Sequence, residues 1–152
     1  MLSFKKLTRE MERAVNFFCK DLPEFNPKSK TGGVLVYTDI DGNEFGRALI
    51  GKTDDEEKYY VTAKRKIQQM LDNPSHLSSY ASRDPKNGLW GGGIHIFRTG
   101  LFAFSGLPEL ADEACLLKAL ENCGLIADLQ FIMEVLALSD NRIYERLAVY
   151  PN

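Results

Sequence analysis

The chain has 152 residues, 44% of them apolar and 26% charged, with a formal net charge of −2 at pH 7. That length and balance predict one globular domain with a sizeable core, and the slight acidity argues against a general polyanion binder, so no nucleic-acid partner is expected. No apolar run approaches the roughly 20 residues that span a bilayer, and Met1–Glu10 lacks the apolar centre of a secretory signal, so no membrane partner is expected and the cytoplasm is the expected compartment.

The first apolar stripe is Met11, Ala14, Val15, Phe18 and Cys19, which predicts an amphipathic helix over residues 8–20 with Thr8 as its N-cap. Pro23 and Pro27 end it, and residues 22–33 read as a surface connector. The β-branched run Val34–Ile40 is followed by Asp41-Gly42, a strong hairpin signal, and by a return strand over Phe45–Ile50. Gly46 inside that strand points to a bulge or a close neighbour.

Thr53-Asp54-Asp55-Glu56 has the capping-box pattern and opens a helix expected to bury Tyr60, Ala63, Ile67, Met70 and Leu71. Lys64, Arg65 and Lys66 lie towards its C-terminal half. They read either as a solvated face that complements the helix dipole or as a group of which one or two reach an anionic ligand. Asn73-Pro74 stops this helix, and Ser75–Ser82 is a short hydroxyl-rich stretch before a loop through Asp84-Pro85 and Asn87-Gly88.

Residues 90–108 compress three glycines, two short strands and a helix start into one segment. Gly91-Gly92-Gly93 marks a sharp bend or a close approach, and Arg98-Thr99-Gly100 is a hairpin loop with Gly100 suited to a left-handed position. Pro108 suits the first position of a helix running to Asn122, with Leu110, Ala114 and Leu117 inward and Gly124 as C-terminal cap. Residues 125–138 predict a buried or partner-facing helix through Leu129, Ile132, Met133 and Leu136. Ser139-Asp140 is a candidate cap for a last short helix holding Ile143 and Leu147. Two hairpins separated by a helix predict an α+β domain, an antiparallel sheet with helices packed on it.

Gly91-Gly92-Gly93-Ile94-His95-Ile96 and Ser105-Gly106-Leu107-Pro108 carry a family resemblance, supported by the acid-led helix Thr53–Lys66 and by Ser78-Ser79-Tyr80. Over residues 7–124 the chain resembles the GlcG/HbpS-like family, also called the haem-degrading domain family. The resemblance implies a profilin-like sheet flanked by helices, frequent assembly into homo-oligomers, and in some members haem binding. It divides the chain into a family-like domain over 1–124 and a C-terminal helical extension over 125–152. The chain departs from the pattern at Asp112-Glu113, where relatives carry Asp-His, and at His95, where they usually carry proline.

The candidate ligand-binding residues are therefore Lys64, Lys66, Trp90, Gly91, Gly92, Gly93 and His95. The three glycines can present backbone N–H groups to an anion or can simply allow close strand packing. Trp90 reads as a core residue or a stacking surface for a planar ligand, and His95 as a structural histidine or a ligand contact. Ser105 reads as a strand-ending and capping residue. Asp112 and Glu113 read as acids placed for the helix dipole. Only two histidines are present, and no metal-ligand spacing is visible. Cys19, Cys115 and Cys123 are odd in number and read as buried reduced thiols. The leading expectation is a cytoplasmic, oligomeric small-ligand-binding protein, with haem or another tetrapyrrole as the ligand the resemblance supplies. The alternatives are an interaction module without ligand chemistry and an enzyme acting on a small organic acid or carbonyl compound.

Overall fold

The computed structural model describes residues 2–147. In chain order they form α1 (Phe4–Asp21), β1 (Gly32–Thr38), β2 (Glu44–Gly51), α2 (Glu56–Asp72), β3 (Gly93–Ile96), β4 (Gly100–Ser105), α3 (Glu109–Asn122), α4 (Leu129–Ser139) and α5 (Ile143–Leu147). The strands make one antiparallel sheet in the order β2-β1-β4-β3. The architecture is α+β, with helices on both faces of the sheet and a helical tail after Gly124.

Alternation along each strand sends side chains to two different layers. Leu35, Ile50, Ile94, Phe102 and Phe104 bury against α1 and α3 in the larger core. Val34, Val36, Leu101 and Ala103 take the other face, against Ala63, Ile67 and Met70 of α2. Each large side chain buried in this way contributes roughly 1.5–3 kcal/mol.

Several local expectations shift by a turn. Helix α1 begins at Phe4 rather than near residue 8, because the Ser3 hydroxyl accepts from the Lys6 N–H at 3.2 Å and Leu7 extends the apolar stripe backwards. Asp55, not Thr53, caps α2: its carboxylate accepts from the Lys58 N–H at 3.1 Å, while the Thr53 hydroxyl accepts from the Asp55 N–H at 3.4 Å. Lys66 and Gln69 share the buried face of α2, and Tyr60 and Leu71 are left half-buried at its flanks. In the β3–β4 turn the left-handed residue is Arg98, with φ 66°. Gly100 is required for a different reason: a Cβ there would stand 2.4 Å from the Thr38 carbonyl oxygen. Both readings of Gly46 hold, since the β1–β2 register slips between Tyr37 and Thr38, leaving Phe45 outside the ladder, and the Phe4 ring packs over the glycine. Of the three free cysteines only Cys115 is fully buried; Cys19 and Cys123 are half-buried.

Helix α3 runs between the sheet and the tail, so Ala111–Leu120 are all buried, Asp112 and Glu113 included, while Leu110 at its start stays half-buried. The two acids are thus not a solvated first turn. Glu113 fastens the tail: one carboxylate oxygen accepts from the Ser139 hydroxyl at 2.5 Å and from the Asn141 side-chain amide at 2.8 Å. Asn141 also donates to the Leu110 carbonyl at 2.8 Å, and its own oxygen accepts from the Ile143 N–H at 3.1 Å. It is therefore Asn141 that opens α5, while Asp140, at φ 50°, closes α4. The buried face of α4 is Ile132, Val135 and Ser139, which turns Leu129 and Met133 outward to solvent.

Burial raises the Glu113 carboxyl above its ordinary 4.5, against the opposing hydrogen bonds from Asn141 and Ser139. Its folded pKa then exceeds its unfolded one, so its contribution is fully present below the unfolded value and is lost as pH rises through the folded value. Urea unfolding at about pH 5 and about pH 8 should show a smaller pH-dependent loss of stability in Glu113→Gln than in wild type; equal losses would remove Glu113 as a source of the slope.

Candidate functional site

On α2, Ala63, Lys66, Ile67 and Met70 recur at helical spacing, and this places a lysine on a stripe facing the sheet. Lys66 is 1% exposed. Its ammonium donates to the Phe104 carbonyl at 2.6 Å and to one Asp112 carboxylate oxygen at 3.1 Å. The other Asp112 oxygen accepts from the Leu107 N–H at 2.9 Å. Two side chains thereby join α2, the end of β4 and the first turn of α3. Burial drives the Asp112 carboxyl up to about 7, with the Lys66 charge and the Leu107 and Gly106 N–H groups pulling the other way.

The glycine segment lies directly over this pair. At Gly92, φ is +111° and a Cβ would stand 2.6 Å from the Lys66 nitrogen and 3.0 Å from the Phe104 carbonyl oxygen, so no side chain fits. Its flanking N–H groups are taken by protein acceptors: Gly91 donates to Glu109 at 2.6 Å and Gly93 to the Ser79 hydroxyl at 2.9 Å. Close approach, not an open row of anion-facing N–H groups, is what these two glycines provide. Gln69 completes the support, its amide donating to the Ser79 carbonyl, the Ser82 hydroxyl and the Trp90 carbonyl at 3.0–3.2 Å.

A cleft of about 340 Å³ opens above the pair. Lys66, Asp112 and Ser105 line its floor; Tyr59, Trp90 and Leu107 form walls; Lys28 and Lys58 stand at its edge. Trp90 is half-buried, and the Arg83 guanidinium lies 5.7 Å from its ring centre while bonding Glu109 at 2.8 Å.

The structure therefore brings together Lys66 and Trp90 as lining residues, with the glycines packed behind them. Lys64 is elsewhere: its ammonium lies 3.7 Å from Glu44 on β2, so the basic run on α2 divides between two sites. His95 is also apart. It pairs with Leu101, whereas the cleft takes Ser105, four residues further along β4, or about 13 Å at ~3.3 Å per residue. Its ring packs against Phe97 with centroids 4.6 Å apart, its N–H donates to the Leu77 carbonyl at 2.9 Å, and burial lowers its pKa. Lys28, Lys58 and Tyr59 are cleft residues that sequence reasoning missed. The available signal was the density of lysines in the 28–30 connector, which reads as an ordinary solvated loop.

Among the described residues, no group of three or more His, Cys, Asp or Glu side chains is placed to hold a metal ion, and no helix is long and apolar enough to cross a membrane. Compared with protein-family models, curated proteins and solved structures, the chain matches none.

Lys66→Met leaves Asp112 buried without its cation and should cost about 3–5 kcal/mol, whereas the double change with Asp112→Leu should recover much of that loss. Chemical denaturation of both variants measures this; an equal loss in the double variant would show that the pair is not the unit. Gly92→Ala should cost about 1–3 kcal/mol in the same assay, from the strained φ and the collision with Lys66.

Proposed function

We propose that this chain is a small-ligand-binding protein whose site is the cleft between the start of α2, the 28–30 loop and the Gly106–Glu109 turn into α3. The observation that supports it most is that the cleft has a rigid polar floor, the buried Lys66–Asp112 pair, beneath two aromatic walls, Tyr59 and Trp90. Ligand sites commonly combine such apolar walls with a few fixed polar groups. Both Asp112 oxygens are already engaged, which favours binding over proton-transfer chemistry here. With its cysteines free, the protein suits a reducing compartment, and we place it in the cytoplasm.

Of the tetrapyrrole expectation, an iron-ligated haem does not fit the residues present. The cleft lining contains no histidine, cysteine or methionine, and the Tyr59 hydroxyl, its one side chain of ligand type, is bonded by the Lys30 ammonium at 3.0 Å. Hemin added to the protein should give no Soret change that depends on His95.

Amide chemical-shift mapping with a set of small aromatic and carboxylate probes tests the reading. Shifts should concentrate at Tyr59, Thr62, Gly106 and Leu107, and Thr62→Trp, which fills the cleft while leaving Lys66 and Asp112 unsubstituted, should abolish them. Shifts that are absent, or that persist in Thr62→Trp, would overturn it.

A second reading, an interaction module, is favoured by one observation. Leu129 and Met133 lie four residues apart on α4 and are 66% and 57% exposed, a stripe that a second copy of the chain would cover. Sedimentation at about 100 μM should then show a self-associated form that Met133→Asp dissociates; a monomeric wild type would refute this reading.

A further inference from the structure

We infer that the ligand of this cleft carries two anionic groups, held at the two ends of a lysine cluster that straddles the Gly106 backbone. The inference rests on the cleft being the binding site, and adds the ligand's charge and its extent. Beyond Gly106 the cleft continues into a second hollow of about 370 Å³, bounded by the 28–32 loop and by Lys52–Asp54. A third, of about 290 Å³, joins the two along Tyr59 and Pro108. All three share Lys28 and Gly106. Lys58 stands at one end of this surface and Lys52 at the other, with Lys28 and Lys30 between them.

Three observations about this cluster support the inference. First, Lys28 and Lys52 make no ion pair among the described residues, although the chain as a whole is slightly acidic. The carboxylates lining the hollows are Asp54 at one end and Glu109 and Asp112 at the other, and the latter two are occupied by Arg83 and Lys66.

Second, local rules are broken where the lysines sit. Lys58 is the third residue of α2, where the helix dipole disfavours a cation, and Ser29, between Lys28 and Lys30, holds a left-handed φ of 51°. Departures of this kind gather at functional sites.

Third, the loop is held in place before any ligand arrives. The buried Asn26 side chain donates to the Lys30 carbonyl at 2.8 Å and accepts from the Lys30 N–H at 3.0 Å, and the Cys19 thiol donates to the same carbonyl at 3.3 Å. The Lys30 ammonium is fixed on the Tyr59 hydroxyl at 3.0 Å. Such preorganisation lowers the cost of binding.

No arginine lines these hollows, so the cluster offers point charges rather than a bidentate fork and accepts carboxylate or phosphate groups alike. A molecule with one anionic group engages one end. A molecule with two gains the second contact without a second loss of translational freedom.

Isothermal titration of the full chain at constant ionic strength tests this, with citrate and pyrophosphate set against acetate and inorganic phosphate. The probes with several anionic groups should bind at least about tenfold tighter than their single-group counterparts, and Lys28→Ala and Lys52→Ala should each weaken them by about tenfold. Comparison of citrate with pyrophosphate decides which anion the site prefers. Equal binding of all four probes, or lysine variants that bind as well as wild type, would overturn the inference. If citrate and pyrophosphate fail while neutral aromatic probes still shift Tyr59 and Gly106, the charge assignment fails and the cleft stands. If no probe shifts those residues, both fail.

Discussion

A single buried ion pair organises this molecule. Lys66 reaches from the inward face of α2 to the Phe104 carbonyl at the end of β4 and to Asp112 in the first turn of α3. Burying two charges is expensive, and their attraction repays that cost only when the remaining hydrogen-bonding positions are filled. Here the second Asp112 oxygen takes the Leu107 N–H, which sets the turn from strand to helix. The pair need not add net stability to have this effect. Any displacement of α2 or α3 relative to β4 leaves a charge stranded, so the pair acts on geometry: it fixes one arrangement of three elements and with it the floor of the cleft.

The glycine segment follows from that pair. Over the Lys66 ammonium there is no space for a Cβ at Gly92, and the neighbouring N–H groups turn to Glu109 and Ser79. Gln69, one turn along α2 from Lys66, holds the same segment from the other side through Ser79, Ser82 and Trp90. Trp90 is thus positioned at the cleft by its backbone carbonyl, with the Arg83 guanidinium over its ring. The division of labour is clear: buried polar side chains build the frame, and the half-exposed aromatics and lysines face outward.

The second buried acid does for the tail what the first does for the cleft. Glu113 binds Ser139 and Asn141, and Asn141 in turn closes on Leu110 and opens α5. Neighbouring acids on one helix, roughly 100° apart around it, therefore meet different elements, Asp112 the sheet end and α2, Glu113 the end of α4 and the start of α5. The surroundings of Glu113 are supplied in this fold by the tail that follows. Helix α3 is enclosed on all sides as a result, which is why its apolar periodicity is weak and its acids are not solvated.

Much of the architecture is legible in the residues alone. Alternating β-branched runs, the Asp41-Gly42 turn, the apolar stripes of α1 and α2 and the turn through Ser105–Pro108 determine strands, hairpins and helices, because each depends on contacts a few residues apart in the chain. Lys66, Trp90 and the three glycines are also marked by local chemistry, and they do meet. What sequence alone does not decide is which charge is buried: Lys64 and Lys66 lie roughly 200° apart on the helical wheel, one on each flank of the apolar stripe, and packing on the sheet sends one to Glu44 at the surface and the other to Asp112 in the interior. Nor does it place His95, which lies on β3 two residues after Gly93 but sits beside Leu101, at the opposite end from the cleft. The lysines of the 28–30 loop join Lys52 and Lys58 only through the pairing of β1 with β2 and the packing of α2 across the sheet. The sequence by itself determined the elements and their amphipathic faces, since these follow from short-range periodicity. The tertiary structure alone decided the partners of the buried charges and the site above them, since desolvation and pairing depend on residues 38 and 46 positions apart.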